Sequence, residues 1–319
     1  MRILITGGAG FIGSHLAERL LNDGHQVQVI DNLSTGKLEN IESFKDHPKF
    51  KYTIGSILNR ELLEKLISNS EQVYHLAAAV GVKYIIENPL LSLKTNIVGT
   101  DNVLEIANKY KCKVLITSTS EVYGKSDQLP FIETADRLMG PTQISRWGYA
   151  TSKAIDEFYG LAFFREKKLP VVIARCFNTV GPRQTGQYGM VLPKFIKSAL
   201  LDQPIIIYGS GKQTRCFADV ADVVEAFLCL MQEKKCEGEI FNVGTTEVIS
   251  IEELAQKVKA MCSSKSKIEY MKYEDAYEEG FEDMMHRMPD LTKIKEYIGF
   301  EPKIKLDEII QRMIEYYEN

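Results

Sequence analysis

The sequence contains no Cys-x-x-Cys pair and no cysteine or histidine spacing of the kind that holds a metal. Its six cysteines, Cys112, Cys176, Cys216, Cys229, Cys236 and Cys262, are scattered. Most lie within strand-like or helix-like apolar stretches and read as reduced packing residues. No apolar run reaches the length of a membrane span. The chain starts on a strand-like Met1-Arg2-Ile3-Leu4-Ile5-Thr6 with no signal-peptide pattern before it, so the expected location is cytoplasmic, away from any membrane. Positive charge is not in excess: 39 Lys+Arg stand against 43 Asp+Glu, a net −4, which argues against a nucleic-acid partner. Internal repeats, low-complexity tracts and flexible linkers are missing too. What is present is an ordinary globular balance, 45% hydrophobic and 26% charged over 319 residues. That suits one large α/β unit or two closely joined domains, with a core that needs no disulfides.

Apolar residues follow two alternating periods. Residues 2–6 read as a buried strand. A glycine turn follows, and then Phe11, Ile12, Leu16, Leu20 and Leu21 recur at helical spacing. Strand-like segments return at 26–30, 51–54, 72–76, 114–117 and 171–175, with helical stretches at 89–110 and 149–166. This alternation predicts a doubly wound parallel sheet, a Rossmann-type α/β fold with helices on both faces. After residue 176 the pattern changes. A loop-rich run, 178–189, leads to an apolar helix from Pro193 to about Leu201 and a short strand at 205–208; amphipathic helices are expected at 251–262 and 305–317. The expected division is a dinucleotide-binding domain over 1–176, with 212–243 returning to it. A smaller C-terminal α/β substrate-binding region would comprise 177–211 and 244–319, with a cleft between the two.

The first turn reads Thr6-Gly7-Gly8-Ala9-Gly10-Phe11-Ile12-Gly13. Gly7 permits the tight turn, Gly10 lets backbone approach a pyrophosphate, and Gly13 lets helix and strand pack closely. The free N–H groups of the helix N-terminus then face the phosphates. Asp31 closes the next strand, where a carboxylate binds both ribose hydroxyls and repels a 2′-phosphate. Together these point to NAD rather than NADP.

Tyr149-Ala150-Thr151-Ser152-Lys153 puts a phenol and an ammonium four residues apart, on one face of a helix. A nearby ammonium lowers a phenol's pKa, so Tyr149 can act as a base. A polar run, Thr117-Ser118-Thr119-Ser120-Glu121-Val122-Tyr123-Gly124, closes an earlier strand on the ligand side of such a sheet, where it would meet Tyr149 and Lys153.

In order, TGGAGFIG (6–13), DNLSTG (31–36), HLAA (75–78), Asn96, STSEVYG (118–124), YATSK (149–153), FNTVGPRQ (177–184) and GKQTRCF (211–217) resemble the extended short-chain dehydrogenase/reductase family, over essentially the whole chain. Within it, STSEVYG, Arg146-Trp147-Gly148-Tyr149-Ala150-Thr151-Ser152-Lys153 and the segment Glu282–Asp290 resemble the UDP-glucuronate decarboxylases. The resemblance implies a Thr119/Tyr149/Lys153 oxidation triad, with Ser120 and Glu121 facing sugar C5 and Arg287 facing the sugar. It implies NAD contacts at Gly7, Gly10, Phe11, Ile12, Gly13, Asp31, Asn32, Ser34, Thr35 and Gly36. Further NAD contacts are implied at Leu76, Ala77, Ala78, Asn96, Thr117, Tyr149 and Lys153. Ser56-Ile57 stands where the family often has Asp-Ile or Asp-Leu for adenine. Candidate sugar-nucleotide contacts are Asn178, Val191, Tyr208, Gln213, Arg215 and Arg287, the glycine-rich basic loop 209–215 being placed for a diphosphate. Partners implied are a UDP-sugar, with UDP-glucuronate favoured, and a second copy of the chain. The helices at 89–110 and 149–166 would pair into a homodimer, the second presenting Ala154, Phe158, Leu161 and Ala162.

The chemistry implied is oxidation of the sugar at C4, loss of CO2 from the resulting β-keto acid, protonation at C5 and re-reduction. By resemblance, 4,6-dehydratases carry an aspartate where Ser120 stands, and simple 4-epimerases usually lack Glu121. A UDP-sugar or UDP-uronic acid 4-epimerase using the same triad is the alternative, and CO2 release separates the two. A non-catalytic NAD-binding regulator is a third reading, which the intact Thr119/Tyr149/Lys153 set opposes.

Overall fold

The computed structural model describes residues 1–318 except 82–84, 86, 187–189, 273, 274 and 276–283. The first six strands are β1 (Arg2–Thr6), β2 (Gln26–Asp31), β3 (Phe50–Ile54), β4 (Gln72–His75), β5 (Lys113–Thr119) and β6 (Val171–Cys176). With β11 (Ile240–Val243) they form a seven-stranded sheet in the order β11-β6-β5-β4-β1-β2-β3. Every neighbouring pair is parallel. Strands such as Ile3-Leu4-Ile5 are apolar on both sides because both faces of the sheet are covered. Leu16, Leu20, Val223 and Phe227 pack on one face, and Leu63, Val103, Leu104 and Ile106 on the other. The fold class is the doubly wound one that the alternation predicts. Its order reverses between β1 and β4, and at such a switch point the carboxyl ends of the strands open a crevice.

The remaining strands are short: β7 (Thr179–Val180), β8 (Ile205–Tyr208), β9 (Thr214–Cys216), β10 (Ala218–Asp219), β12 (Val248–Ser250) and β13 (Ile268–Met271). They pair two by two, β7 with β10, β8 with β13, and β9 with β12. Helices Val191–Leu200, Ile251–Met261 and Leu306–Glu318 enclose a separate apolar cluster that includes Leu192, Ile196, Ile207, Leu254, Ile309 and Met313. Sequence sets these boundaries sharply. Ser250 accepts from Glu253 N at 3.1 Å while the Glu253 carboxylate accepts from Ser250 N at 3.0 Å, a closed capping box. Among the described residues no helix is long and apolar enough to cross a membrane.

Two contacts clasp the first helix, Phe11–Asn22, to the loop that follows β7. His15 Nε2–H donates to the Pro182 carbonyl at 2.9 Å, and Arg183 pairs with Glu18 at 2.6 Å.

Candidate active site

At the end of β1 the chain turns through Gly7, whose φ is +74°. A Cβ there would lie 2.8 Å from Ala77 N, and one on Gly13 would lie 2.2 Å from the Gly7 carbonyl oxygen. Side chains at these positions would push the Phe11–Asn22 helix off the sheet and fill the space before its N-terminus. Asp31 ends β2 with Oδ2 accepting from Ala9 N at 3.0 Å and Oδ1 from Leu33 N at 2.8 Å. Burial pushes its pKa up, and the Leu33 and Ala9 N–H groups pull it back. The carboxylate is thus fixed beside the glycine turn, the arrangement a pyrophosphate and an adjacent ribose diol require. A cleft of about 790 Å³ runs from this turn to Arg215. Its walls take in Phe11, Ile12, Asn32, Ser34, Thr35, Ser56, Ile57, Leu76, Ala77, Ala78 and Thr117. The residues present therefore fit NAD.

Two sequence candidates stand behind the wall rather than in it. Gly36 backs Asp31, and a Cβ on it would come 2.8 Å from Oδ2. Asn96 is buried; its Oδ1 accepts from Ala79 N at 2.8 Å and its Nδ2 donates to Ser152 Oγ at 2.9 Å. It braces the loop after β4 against the Ser145–Lys167 helix.

The crevice floor lies where β5 ends. Thr119 closes the strand, and a single 3-10 turn, Ser120–Tyr123, carries Ser120 and Glu121 into the cleft. Facing them, the Ser145–Lys167 helix presents Tyr149 and Lys153. The helix starts four residues before the tyrosine, so Arg146 and Trp147 form its first turn and Trp147 packs beneath it with Ala150 and Phe177. Burial raises the Tyr149 pKa most. The charges of Glu121, Cys176 and Asp156 add to the rise, and the Thr119 hydroxyl opposes it. The ammonium expected to make the phenol acidic is held elsewhere: Lys153 Nζ lies 2.7 Å from Asp156 Oδ2. Beneath the pair, Arg175 makes a two-pronged contact with Glu157 at 2.9 and 2.7 Å, and Ser118 Oγ donates to the same carboxylate at 2.5 Å. This buried knot fixes the helix against β5 and β6.

Glu121 sits between two guanidinium groups, Arg287 at 3.4 Å and Arg146 at 3.6 Å. Both arginine side chains are largely buried, at 10% and 4% exposure, so this is a concentrated positive wall rather than a solvated rim. Arg287 arrives on a strap stitched across the cleft. Phe131 N donates to Met288 O at 2.8 Å, Thr214 N to Met285 O at 2.9 Å, and Asp290 N to Phe131 O at 2.9 Å. Glu282 and Asp283, the first residues of the motif that carries Arg287, lie outside the described residues, as do 187–189 of the loop-rich run. Arg146 is the site residue that the sequence motif carries without marking. Its signal was a charged residue one turn before Tyr149.

Farther along, Asn178, Val191, Tyr208, Gln213 and Arg215 line the same cleft. Gln213 Nε2 donates to Tyr208 O at 2.9 Å, and Arg215 Nη1 donates to Thr214 O at 2.8 Å and Met285 O at 3.4 Å, so the basic loop is held to the strap. Among the described residues no group of three His, Cys, Asp or Glu could hold a metal ion.

The model of the GDP-mannose 4,6-dehydratase family matches residues 4–313. The chain is 43% identical to a UDP-N-acetyl-alpha-D-glucosaminuronate decarboxylase of Bacillus cytotoxicus, over 99% of this chain and 97% of that protein. It is 36% identical to UDP-glucuronic acid decarboxylase 1 of Danio rerio, over 99% of this chain and 72% of that protein. Among solved structures it resembles a UDP-glucuronic acid 4-epimerase from Bacillus cereus, in complex with UDP-glucuronic acid and NAD. The TM-score is 0.89 and the identity 29%, covering 100% of this chain and 99% of that one.

Proposed function

Because the chain belongs to the GDP-mannose 4,6-dehydratase family, the extended short-chain dehydrogenases/reductases, we propose that it is an NAD-dependent decarboxylase of a UDP-linked hexuronic acid. UDP-glucuronate is the favoured substrate, and the N-acetylglucosamine-derived uronate is the other member of that class named among its relatives. The single observation that carries the reading is the grouping of Glu121, Arg146 and Arg287 beside Tyr149, Lys153 and Thr119 in one cleft. Two buried guanidinium groups gathered about one carboxylate, Glu121, have donor capacity that suits a second carboxylate at C6.

Gly7, Gly10 and Gly13 would receive the NAD pyrophosphate, Asp31 the adenosine ribose, and Lys153 the nicotinamide ribose. Bound there, NAD supplies the acceptor and donor for a reversible oxidation of a sugar carbon. Tyr149 takes the proton of the C4 hydroxyl, with Thr119 orienting the same oxygen. Arg287 and Arg146 hold the carboxylate at C6. Once C4 is a ketone the sugar is a β-keto acid, and the C5–C6 bond breaks with its electron pair moving into the C4 carbonyl. C5 of the enol takes a solvent-derived proton, passed by a water or by Glu121 once a water has protonated it, with Ser120 beside it, and the C6 carbon leaves as CO2. Tyr149 returns its proton to the C4 oxygen when the ketone is reduced. Asn178 and Arg215 face the diphosphate. In this scheme residues 1–176 with 212–243 form the NAD half, and 177–211 with 244–319 the sugar-nucleotide half.

Incubation with UDP-glucuronate and UDP-N-acetylglucosaminuronate, followed by mass spectrometry, tests the reading. Loss of CO2 without net NADH is expected. Conversion to the C4 epimer with the carboxylate retained would assign the chain to the 4-epimerase chemistry of the Bacillus cereus structure instead.

The same proposal includes a homodimer in the cytoplasm. Leu90, Leu91 and Val98 of the Pro89–Tyr110 helix and Phe158 of the Ser145–Lys167 helix are exposed, an apolar face suited to a second copy. Ala154 does not belong to that face, since it is buried against Trp147 and Phe177. Light scattering at micromolar concentration is expected to give twice the chain mass; a monomer would refute it.

A further inference from the structure

Lys153 and Asp156 form an ion pair of 2.7 Å whose side chains are 3% and 0% exposed. An ammonium this deep must be matched by a counter-charge or it gives up its proton. The groups facing it are few. Asp156 from its own helix, His75 from β4 and Cys176 from β6 interact with it directly; around these, Glu157 and Thr100 (from the Pro89–Tyr110 helix) act on Asp156, and Glu121 from the turn after β5 acts on Tyr149. Most are neutral or engaged elsewhere. Burial lowers the His75 pKa to about 3 and raises that of the Cys176 thiol to about 12, so both are uncharged near neutrality. The Glu157 carboxylate is taken up by Arg175 and Ser118, and that of Glu121 stands between two arginines. Asp156 alone of these carboxylates is committed to Lys153.

A hydrogen-bonded relay lies beside the pair. Thr6 Oγ1, which accepts from Ala77 N at 3.1 Å, lies 2.7 Å from His75 Nδ1, and His75 Nε2 lies 3.0 Å from Thr100 Oγ1. With Thr6 donating to Nδ1 and Nε2–H donating to Thr100, Asp156 Oδ1 is buried without a hydrogen-bond partner among the described residues and Oδ2 is held by Lys153, while the relay ends on the Thr100 hydroxyl. That hydroxyl and Lys153 both oppose the rise that burial imposes on the Asp156 pKa. The relay begins one residue before the glycine turn and ends at Thr100.

We propose that Asp156 is a positioning residue of the reaction, the counter-ion that keeps Lys153 charged and fixed on the face it shares with Tyr149. The inference rests on reading Tyr149 as the group that handles the C4 proton and Lys153 as the ammonium that holds the nicotinamide ribose beside it. Asp156→Asn preserves shape and removes the charge. With UDP-glucuronate, the descending alkaline limb of its kcat profile is expected at least one pH unit below that of wild type. KM should change little, and Asp156→Glu should restore the limb. A second readout needs no turnover, a cycle of thermal midpoints for Asp156→Asn, Lys153→Met and the double variant. Asp156→Asn is expected to lower the midpoint and the double variant to regain most of the loss, because the orphaned ammonium is gone. Additive midpoints, or an alkaline limb that stays in place, overturn the proposal. Wild-type protein that converts no uronate counts against the decarboxylase reading and leaves the thermal cycle to decide on Asp156.

Discussion

Replacing His15 with glutamine tests how the cofactor helix is clasped to the loop beyond β7. Burial lowers the His15 pKa from 6.5 to about 4, against the pull of the Pro182 carbonyl, and Arg183 lowers it further. Between those two values the unfolded chain binds a proton that the folded chain refuses, so stability falls as pH falls. The contribution is whole above about 6.5 and is lost as the pH drops toward 4. One pKa unit corresponds to about 1.4 kcal/mol, so about 2 kcal/mol is gone at pH 5 and the loss approaches about 3 kcal/mol below pH 4. Glutamine can still donate an N–H to Pro182 O but does not titrate. Urea denaturation of both proteins at pH 7.5 and pH 5.0 reads the difference. The wild type is expected to lose about 2 kcal/mol more than His15→Gln over that interval. Parallel losses in the two proteins would refute the burial argument. His75, buried between Thr6 and Thr100, adds a second acid-sensitive term with the same sign, and it is present in both proteins and cancels.

Tyr149→Phe removes only the phenol oxygen; NAD is expected to bind normally while kcat falls by about a hundredfold or more, and a variant keeping a tenth of the rate would exclude Tyr149 as the essential base. Arg287→Ala loses a charge-assisted contact of about 1.5–3 kcal/mol, so calorimetry should show UDP-glucuronate binding weakened roughly ten- to a hundredfold. UDP-glucose should be nearly unaffected, and equal weakening of both would take the carboxylate out of that arginine's role. NAD is expected to bind at least about tenfold more tightly than NADP, because Asp31 meets the 2′-phosphate with like charge. Asp31→Ser should narrow that gap, and equal affinity of the wild type for both would contradict the argument.

The parallel strands were legible because they are buried on both faces and read as unbroken apolar runs; β1 spans the residues expected of it and β2 one more. The strand β11 was harder to see. Asn242 interrupts its apolar pattern, and only the fold shows why: its side chain accepts from the Tyr123 hydroxyl at 2.6 Å and donates to Phe131 O at 2.8 Å. Tyr149 and Lys153 announce themselves by i, i+4 spacing. Asp156 stands three residues after Lys153, a spacing that allows the pair, but such acid–lysine pairs are common on solvated helix faces and only the fold shows that this one is buried. Arg287 was reachable through resemblance alone, since its partner Glu121 lies 166 residues away. The roles of Gly36 and Asn96 as supports behind the wall depend on packing that no local pattern encodes.

That separation of 166 residues has a consequence for how the protein is made. The glycine turn, Asp31, Thr119, Tyr149 and Lys153 are all incorporated before residue 154 is added, whereas Arg287 follows much later. A contact of such high order closes late and slowly compared with the local turns it joins. A chain that stops short of the strap therefore carries Thr119, Tyr149 and Lys153 without the contact of Arg287 with Glu121. The contact of Arg287 with Glu121 forms only once the strap has been made.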